Sequence, residues 1–439
     1  MTFVMVFALL GKVVAALKEV AVAWRFGISD TVDAYLFIFN IVLLPTGIWF
    51  SSLSVLVIPL LGRLSAAEER GSGSFERELF GWTIVAGVAT GLVTWIVLVI
   101  LVESGTSGLS PAATGLARSM ASWLSLITPI GFVIYFGSVI IMASGRHSNT
   151  LYEGLPAACI LLAVLIVGDT GPVALLIGTL VGGFVHLIAV GIDLYRSGRL
   201  PRPRLGLSSP AWSGVWTGVG IIVMAQAIQA ITGAVDQFAA ARLGSGAIAT
   251  LAYSERIMSL VLTLSSTVIG RALLPILSAG SSSADNDHRR IVRSWANALF
   301  IGGVVVLIIG WTLAPYIVTI LFERGAFSHK DTVAVAEIFR LSLIRLPVYL
   351  YSLTLVQYII SRRNYHHILW ISIINIVAKI IFIYIAMNFF GLKGVVLSTA
   401  AMYAMSSLYT SYFAFKVRHC EIPSDGTGTK RDRLTRSPN

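Results

Sequence analysis

Residues 247–277 read AIATLAYSERIMSLVLTLSSTVIGRALLPIL. A run this long and apolar can cross the roughly 30 Å hydrocarbon layer as a helix, which takes about 20 residues. Yet Glu255 and Arg256 stand inside it. With the span beginning near residue 245, Arg256 lies about 16 Å in, at roughly 1.5 Å per residue, close to the midplane. A charge facing lipid at that depth costs about 2.5–3.5 kcal/mol even on the mildest scale. The pair must therefore face a protein interior or a watery cavity. Neighbours on a helix point about 100° apart, so each is expected to find its partner on another helix or in a cavity.

The rest of the chain repeats this pattern. It has 439 residues, 56% of them hydrophobic and 12% charged, with a mean hydropathy of +0.83. Soluble domains carry about twice that charge fraction. The chain reads as an all-α polytopic membrane protein, because barrel strands would alternate in hydrophobicity over about ten residues and these runs do not. About twelve spans are expected, near 2–27, 33–61, 80–102, 119–143, 150–168, 172–195, 212–236, 245–277, 295–322, 333–360, 367–389 and 391–416. The first is interrupted by Lys12, Lys18, Glu19 and Arg25 and reads as a retained helix, not a cleaved leader.

The net charge of +11 does not point to nucleic acid, since most cations lie in short loops and the tail. Loops after even-numbered spans, with the tail, hold about 19 Lys and Arg, and the other loops about five. Both termini are expected in the cytoplasm of a bacterium, the chain sitting in its inner membrane. Residues 418–439 are polar and basic without periodicity and read as a disordered tail.

The halves resemble each other at an offset of about 216–220 residues. VIPLLGRLS (57–65) falls against LLPILSAGS (273–281), SGRHSN (144–149) against ISRRNY (360–365), and ALLIGTLVG (174–182) against GVVLSTAAM (394–402). With an even number of spans in each half, the repeats are parallel, related by a pseudo-two-fold along the membrane normal. The expected domains are a six-helix lobe over 1–200, a second over 201–417, and the tail, with a central cavity between the lobes.

Eight basic residues fall within spans: Lys12, Lys18, Arg25, Arg256, Arg271, Arg340, Arg345 and Lys379. Arg271 is near a helix end and reads as snorkelling. Acids within or at the ends of spans are fewer: Glu19, Asp33, Glu153, Asp236 and Glu255. Several deep cations against few deep acids suggest an anionic cargo. Lys12, Lys18, Arg25, Arg256 and Arg345 are the candidate head-group ligands. Glu19, Asp33, Asp236 and Glu255 are the candidates for gating or for Na⁺ or proton coupling. No P-loop, HExxH, CxxC or GxSxG occurs, Cys159 and Cys420 offer neither a disulfide framework nor a metal spacing, and the seven histidines form no ligand cluster. His186 reads as a satisfied packing histidine, and His329, His366 and His367 as loop residues. An enzyme is not expected, nor a metal or other cofactor.

FGISDTVDAYLFIF (26–39), YSERIM (253–258) with LLPILS (273–278), and LFERGAF (321–327) followed by Asp331 and Thr332 resemble the MurJ/MviN family of lipid II flippases, of the multidrug/oligosaccharidyl-lipid/polysaccharide exporter superfamily. The resemblance covers nearly the whole chain. It implies a cation-lined cavity between two six-helix lobes, alternating between inward and outward openings. The implied cargo is an undecaprenyl-diphosphate-linked saccharide, either lipid II or a related surface-glycan precursor. Lys12 and Lys18 stand where the family has arginines, with Glu19 at its following acid; Arg256 matches the helix 8 arginine and Asp33 the acid opening helix 2. LLPTGIW (43–49) lacks the basic residue the family carries there, and no counterpart of its two further C-terminal helices follows residue 416. Two rival readings are a drug or metabolite antiporter of the same superfamily and a non-transporting scaffold for glycan-synthesis enzymes.

Overall fold

With no water in hydrocarbon to satisfy backbone N–H and C=O groups, an apolar run must pair them within itself. The chain does so by forming helices. A computed structural model describes residues 2–66, 72–146, 148–167, 171–279, 285–361 and 365–415. Among them the helices are α1 (Thr2–Phe26), α2 (Asp30–Ala66), α3 (Ser72–Glu103), α4 (Pro111–Leu124), α5 (Ile127–Ala143), α6 (Asn149–Tyr152), α7 (Leu155–Ile166), α8 (Val173–Arg196), α9 (Trp212–Ala241), α10 (Ala247–Ala279), α11 (Asp285–Phe322), α12 (His329–Leu343), α13 (Arg345–Ser361), α14 (Tyr365–Phe390) and α15 (Leu392–Phe415). No strand occurs among the described residues. Among the described residues seven spans, with α6 and α7 taken together as one, are long and apolar enough to cross a membrane, or eight if the bent pair α4–α5 is one span. Helix α1 falls outside that count by composition, since Lys12, Lys18, Glu19 and Arg25 interrupt it.

Three of the expected spans are divided: 150–168 by a short turn at Glu153–Gly154 between α6 and α7, and two others at prolines. The segment 119–143 divides at Ser125–Leu126, where α4 and α5 meet at 46°. Pro129 has no N–H to give the carbonyl of Ser125, and its ring crowds that carbonyl. The segment 333–360 divides at Ile344, with Pro347 four residues after Leu343. The two prolines are 218 residues apart, within the repeat offset. Pro129 lies against Gly91 of α3, and Pro347 against Gly303 of α11.

Packing partners recur in the same way. In the first half α1 packs on α7, α2 and α3 on α5, and α8 on α5 and α7; in the second, α9 packs on α14, α10 on α12, α11 on α13, and α15 on α13 and α14. The halves meet along α2 and α9, with further contact of α2 with α10 and of α1 with α11. The main core joins Phe37, Ile38 and Leu124 of the first half to Met258, Phe339 and Leu346 of the second. Large apolar side chains such as Val93 and Ile100 on α3, and Ile301 and Ile308 on α11, stay exposed. They are the surface that hydrocarbon covers.

Smaller expectations change. His329 is the first residue of α12, behind the Ser328 cap, and His366 and His367 lie in α14. His186 is buried, but its Nε2 has no hydrogen-bond partner, so it packs without being satisfied. The tail 418–439, the side chain of Arg271 and Arg362 lie outside the described residues.

Candidate functional site

Helix α1 carries Lys12, Lys18, Glu19 and Arg25, and one stretch of it faces α10. Glu19 binds two cations there: Lys18 Nζ at 2.7 Å and Arg256 Nε at 2.9 Å. Lys12, two turns earlier on α1, lines the same pocket of about 200 Å³ with Glu19, Arg256, Ser259 and Thr263. Two cations thus bind one carboxylate, and a third, Lys12, lines the pocket beside it. The Arg256 side chain is 45% exposed although its partner Glu19 is only 16% exposed, so the guanidinium keeps donors free on its outward side. Arginine suits an oxyanion by its planar fork, whereas Lys12 and Lys18 offer point charges. The arrangement can replace the hydration of a phosphate-sized anion away from bulk water.

The neighbour Glu255 turns to the other side of α10. Its Oε2 accepts from Arg345 Nη2 at 2.6 Å. The partners of Glu255 and Arg256 therefore come from α13 and α1, as the 100° offset requires. This second cavity, about 540 Å³, lies within the second half and is lined by Asp236, Glu255, Arg345, Tyr349, Asn375 and Tyr403. Lys379 is fully buried beside it, 2.6 Å from Asp236 Oδ1, with Thr399 Oγ1 and the Val395 carbonyl as further acceptors. Arg345 therefore does not join Lys12, Lys18 and Arg256. A buried guanidinium needs a counter-charge, and Glu255 supplies it inside the second half. Arg25 is also apart: it lies at the end of α1, 5.8 Å over the Trp24 ring.

Asp33 has a different role from a free acid. It is buried, and its carboxylate accepts from the amides of Gly246 at 2.6 Å and Ala249 at 2.7 Å, in the turn that opens α10. A carboxylate there satisfies orphan N–H groups and meets the positive end of the helix. Around it the turns of the two halves interlock. Tyr253 Oη donates to the Gly27 carbonyl at 3.1 Å, and the Ala326 amide to the Trp24 carbonyl at 2.8 Å. Gly27 has φ +55°, and a Cβ on it would stand 2.5 Å from the Ala326 carbonyl oxygen. Gly325, at φ +61°, lies against Trp24 in the same way. Phe327 packs on Tyr253 and Phe322, with centroids 5.5 and 5.7 Å apart. The segments FG (26–27), YSER (253–256) and GAF (325–327) thus form one junction. In the sequence FG and GAF served only as marks of resemblance, and YSER was read for Glu255 and Arg256, not for Tyr253. The hint passed over is a glycine in each of two turns that flank long helices.

A family model described as lipid II flippase MurJ matches residues 22–427. The chain belongs to the MurJ lipid II flippase family. A probable lipid II flippase MurJ from Bdellovibrio bacteriovorus is 26% identical over 223 residues, 50% of this chain and 42% of the relative. The chain thus matches under half the length of that curated relative. Among solved structures, a lipid II flippase MurJ in an inward closed conformation superposes with TM-score 0.81 at 18% identity, over 95% of this chain and 88% of the other. An inward-facing multidrug resistance transporter of the MATE family and MOP superfamily gives 0.72 at 14% identity, over 91% and 93%. At these identities the two structures fix the fold: an all-helical, multi-pass transporter architecture. The family is one of flippases, not of catalytic enzymes.

Proposed function

We propose that this chain moves an undecaprenyl-diphosphate-linked saccharide, lipid II or a related precursor of a surface glycan, from the inner to the outer leaflet of a bacterial inner membrane. The observation that carries this reading is the pocket between α1 and α10, where the halves of the chain meet: Lys12 and Arg256 line it with Glu19, and Glu19 binds Arg256 and, behind it, Lys18. A diphosphate cannot leave water for about 30 Å of hydrocarbon unaided. Fixed cations replace its hydration, and the prenyl tail stays in lipid while the head group moves.

In this reading residues 1–200 and 201–417 are two lobes that rock against each other, as their matching packing partners and paired proline breaks suggest. With both termini cytoplasmic, the interlocked turns at Gly27, Gly246 and Gly325 close the outer end. Glu19 holds Lys18 and Arg256 until phosphate competes for them. Asp33, Asp236 and Glu255 are the proposed carriers of Na⁺ or proton coupling, and each must first part from the amides or cation that now hold it. A pocket with more bases than acids does not favour a drug-cation antiporter.

The test is complementation. A bacterium depleted of its resident lipid II flippase would express this chain or Arg256→Ala, with growth and outer-leaflet lipid II followed. Rescue by the wild type, with loss on the order of a hundredfold in the variant, supports the reading; the lost charge-assisted contact is worth about 1.5–3 kcal/mol. Full activity of a folded Arg256→Ala protein would refute it. Absence of rescue by folded wild type would turn the search to another lipid-linked saccharide.

A further inference from the structure

The connection from α8 to α9, RSGRLPRPRLGLSSPA (196–211), is not used by the transport reading. It holds Arg196, Arg199, Arg202 and Arg204, and no acid stands in the sequence between Asp193 and Asp236. Asp193 itself is taken by Arg146 at 2.6 Å. Among these arginines Leu200, Leu205 and Leu207 are 49%, 65% and 53% exposed.

A basic loop near a membrane is commonplace. This one is fastened in place. Buried Glu78 of α3 accepts from the Ser209 amide at 3.2 Å and from Trp212 Nε1 at 2.8 Å, and also binds Ser208. Trp82 Nε1 donates to the Gly206 carbonyl at 3.1 Å, and the Arg204 amide to the Arg77 carbonyl at 3.0 Å. Pro201 and Pro203 restrict the backbone between these anchors. The arginine side chains are exposed on a backbone tied to α3 at these points. Arg199 and Arg202 meet Arg77 in a cavity of about 430 Å³, with Glu76 the one carboxylate on its wall. Two membrane spans end at this level, Gly73–Glu103 at its start and Val173–Arg196 at its end, which sets the connection where hydrocarbon gives way to head groups.

We propose that this connection is a docking site for an anionic phospholipid of the surrounding bilayer. The phosphate is held by Arg77, Arg199 and Arg202, with Arg204 beside them. The acyl chains lie along Leu200, Leu205 and Leu207. A clustered cation set supplies the charge match, and exposed leucines distinguish a lipid from a soluble anion. Because the connection joins the two halves, a lipid bound there touches the segment that must move when they rock.

The experiment uses the full chain in detergent micelles and counts retained lipid by native mass spectrometry, with phosphatidylglycerol and phosphatidylcholine as probes. Wild type is expected to retain phosphatidylglycerol preferentially. The variant R199Q/R202Q/R204Q is expected to lose that preference on the order of a hundredfold, at roughly fivefold per arginine. The variant R199K/R202K/R204K, which keeps the charge, is expected to retain most of it. The anchoring bonds use Glu78, Trp82 and backbone groups, so the melting temperature of all three proteins should agree. Inorganic phosphate at equal ionic strength should not displace the lipid. Equal retention of both lipids by wild type, unchanged preference in the glutamine variant, or displacement by phosphate would each overturn the proposal.

Discussion

Arg256 and Arg345 are arginines of neighbouring helices, each within 3 Å of a glutamate, and both stand deep in apolar spans as candidate head-group ligands. The Arg256 side chain is 45% exposed and opens onto a pocket shared with Lys12. The Arg345 side chain is 7% exposed, and Lys379 close by is wholly buried against Asp236. Lys12 and Arg256 open onto a pocket; Arg345 and Lys379 are spent on acids of their own half. The difference teaches that depth in the membrane alone does not mark a ligand. What matters is whether the paired cation still opens onto a cavity, as Arg256 does and Lys379 does not.

The contrast breaks most readily on stability. Asp236→Ala leaves the Lys379 ammonium buried without its acid and is expected to cost about 3–5 kcal/mol, nearer the lower figure because Asp236 borders a cavity. Arg256→Ala, at a half-exposed site, should cost no more than about 1 kcal/mol. Chemical unfolding in detergent checks both, and the reverse order would dissolve the distinction.

Next comes the junction. Asp33→Ala removes two charge-assisted hydrogen bonds across the halves, each worth about 1.5–3 kcal/mol when intact. Water entering the gap will return part of that, so a loss near 2 kcal/mol in the closed arrangement is expected. Spin labels across the turns at residues 28 and 244 should report a longer separation; an unchanged distance would remove Asp33 from any gating role.

A sharper probe is binding. Glu19→Gln withdraws the carboxylate that competes for Lys18 and Arg256, and should raise affinity for a soluble prenyl-diphosphate analogue about tenfold, or roughly 1.4 kcal/mol. Glu255→Gln should leave it unchanged. Equal shifts, read by calorimetry, would mean that both cavities take the anion. The smallest effect is expected at Ser328, whose side chain and Asp331 form a capping box on α12. Ser328→Ala should lower stability by about 1 kcal/mol without altering affinity.

Much of the fold was legible in the chain. Long apolar runs dictate helices because lipid offers the backbone no other partner, and charged residues inside such runs must face inward. The pairing of Glu255 and Arg256 with separate partners followed from the 100° step along α10. The breaks at Pro129 and Pro347 were written in the sequence as well, but each was read as part of one span. The identity of the partners was not legible. Glu19 and Arg256 are 237 residues apart, Asp236 and Lys379 143, and Asp33 reaches the backbone amides of Gly246, which have no side-chain signature at all. The sequence by itself determined which elements form and that charge lies deep among them. Only the tertiary structure decided which of those charges meet, because an ion pair between helices depends on distances of a few ångströms that spacing along the chain does not encode.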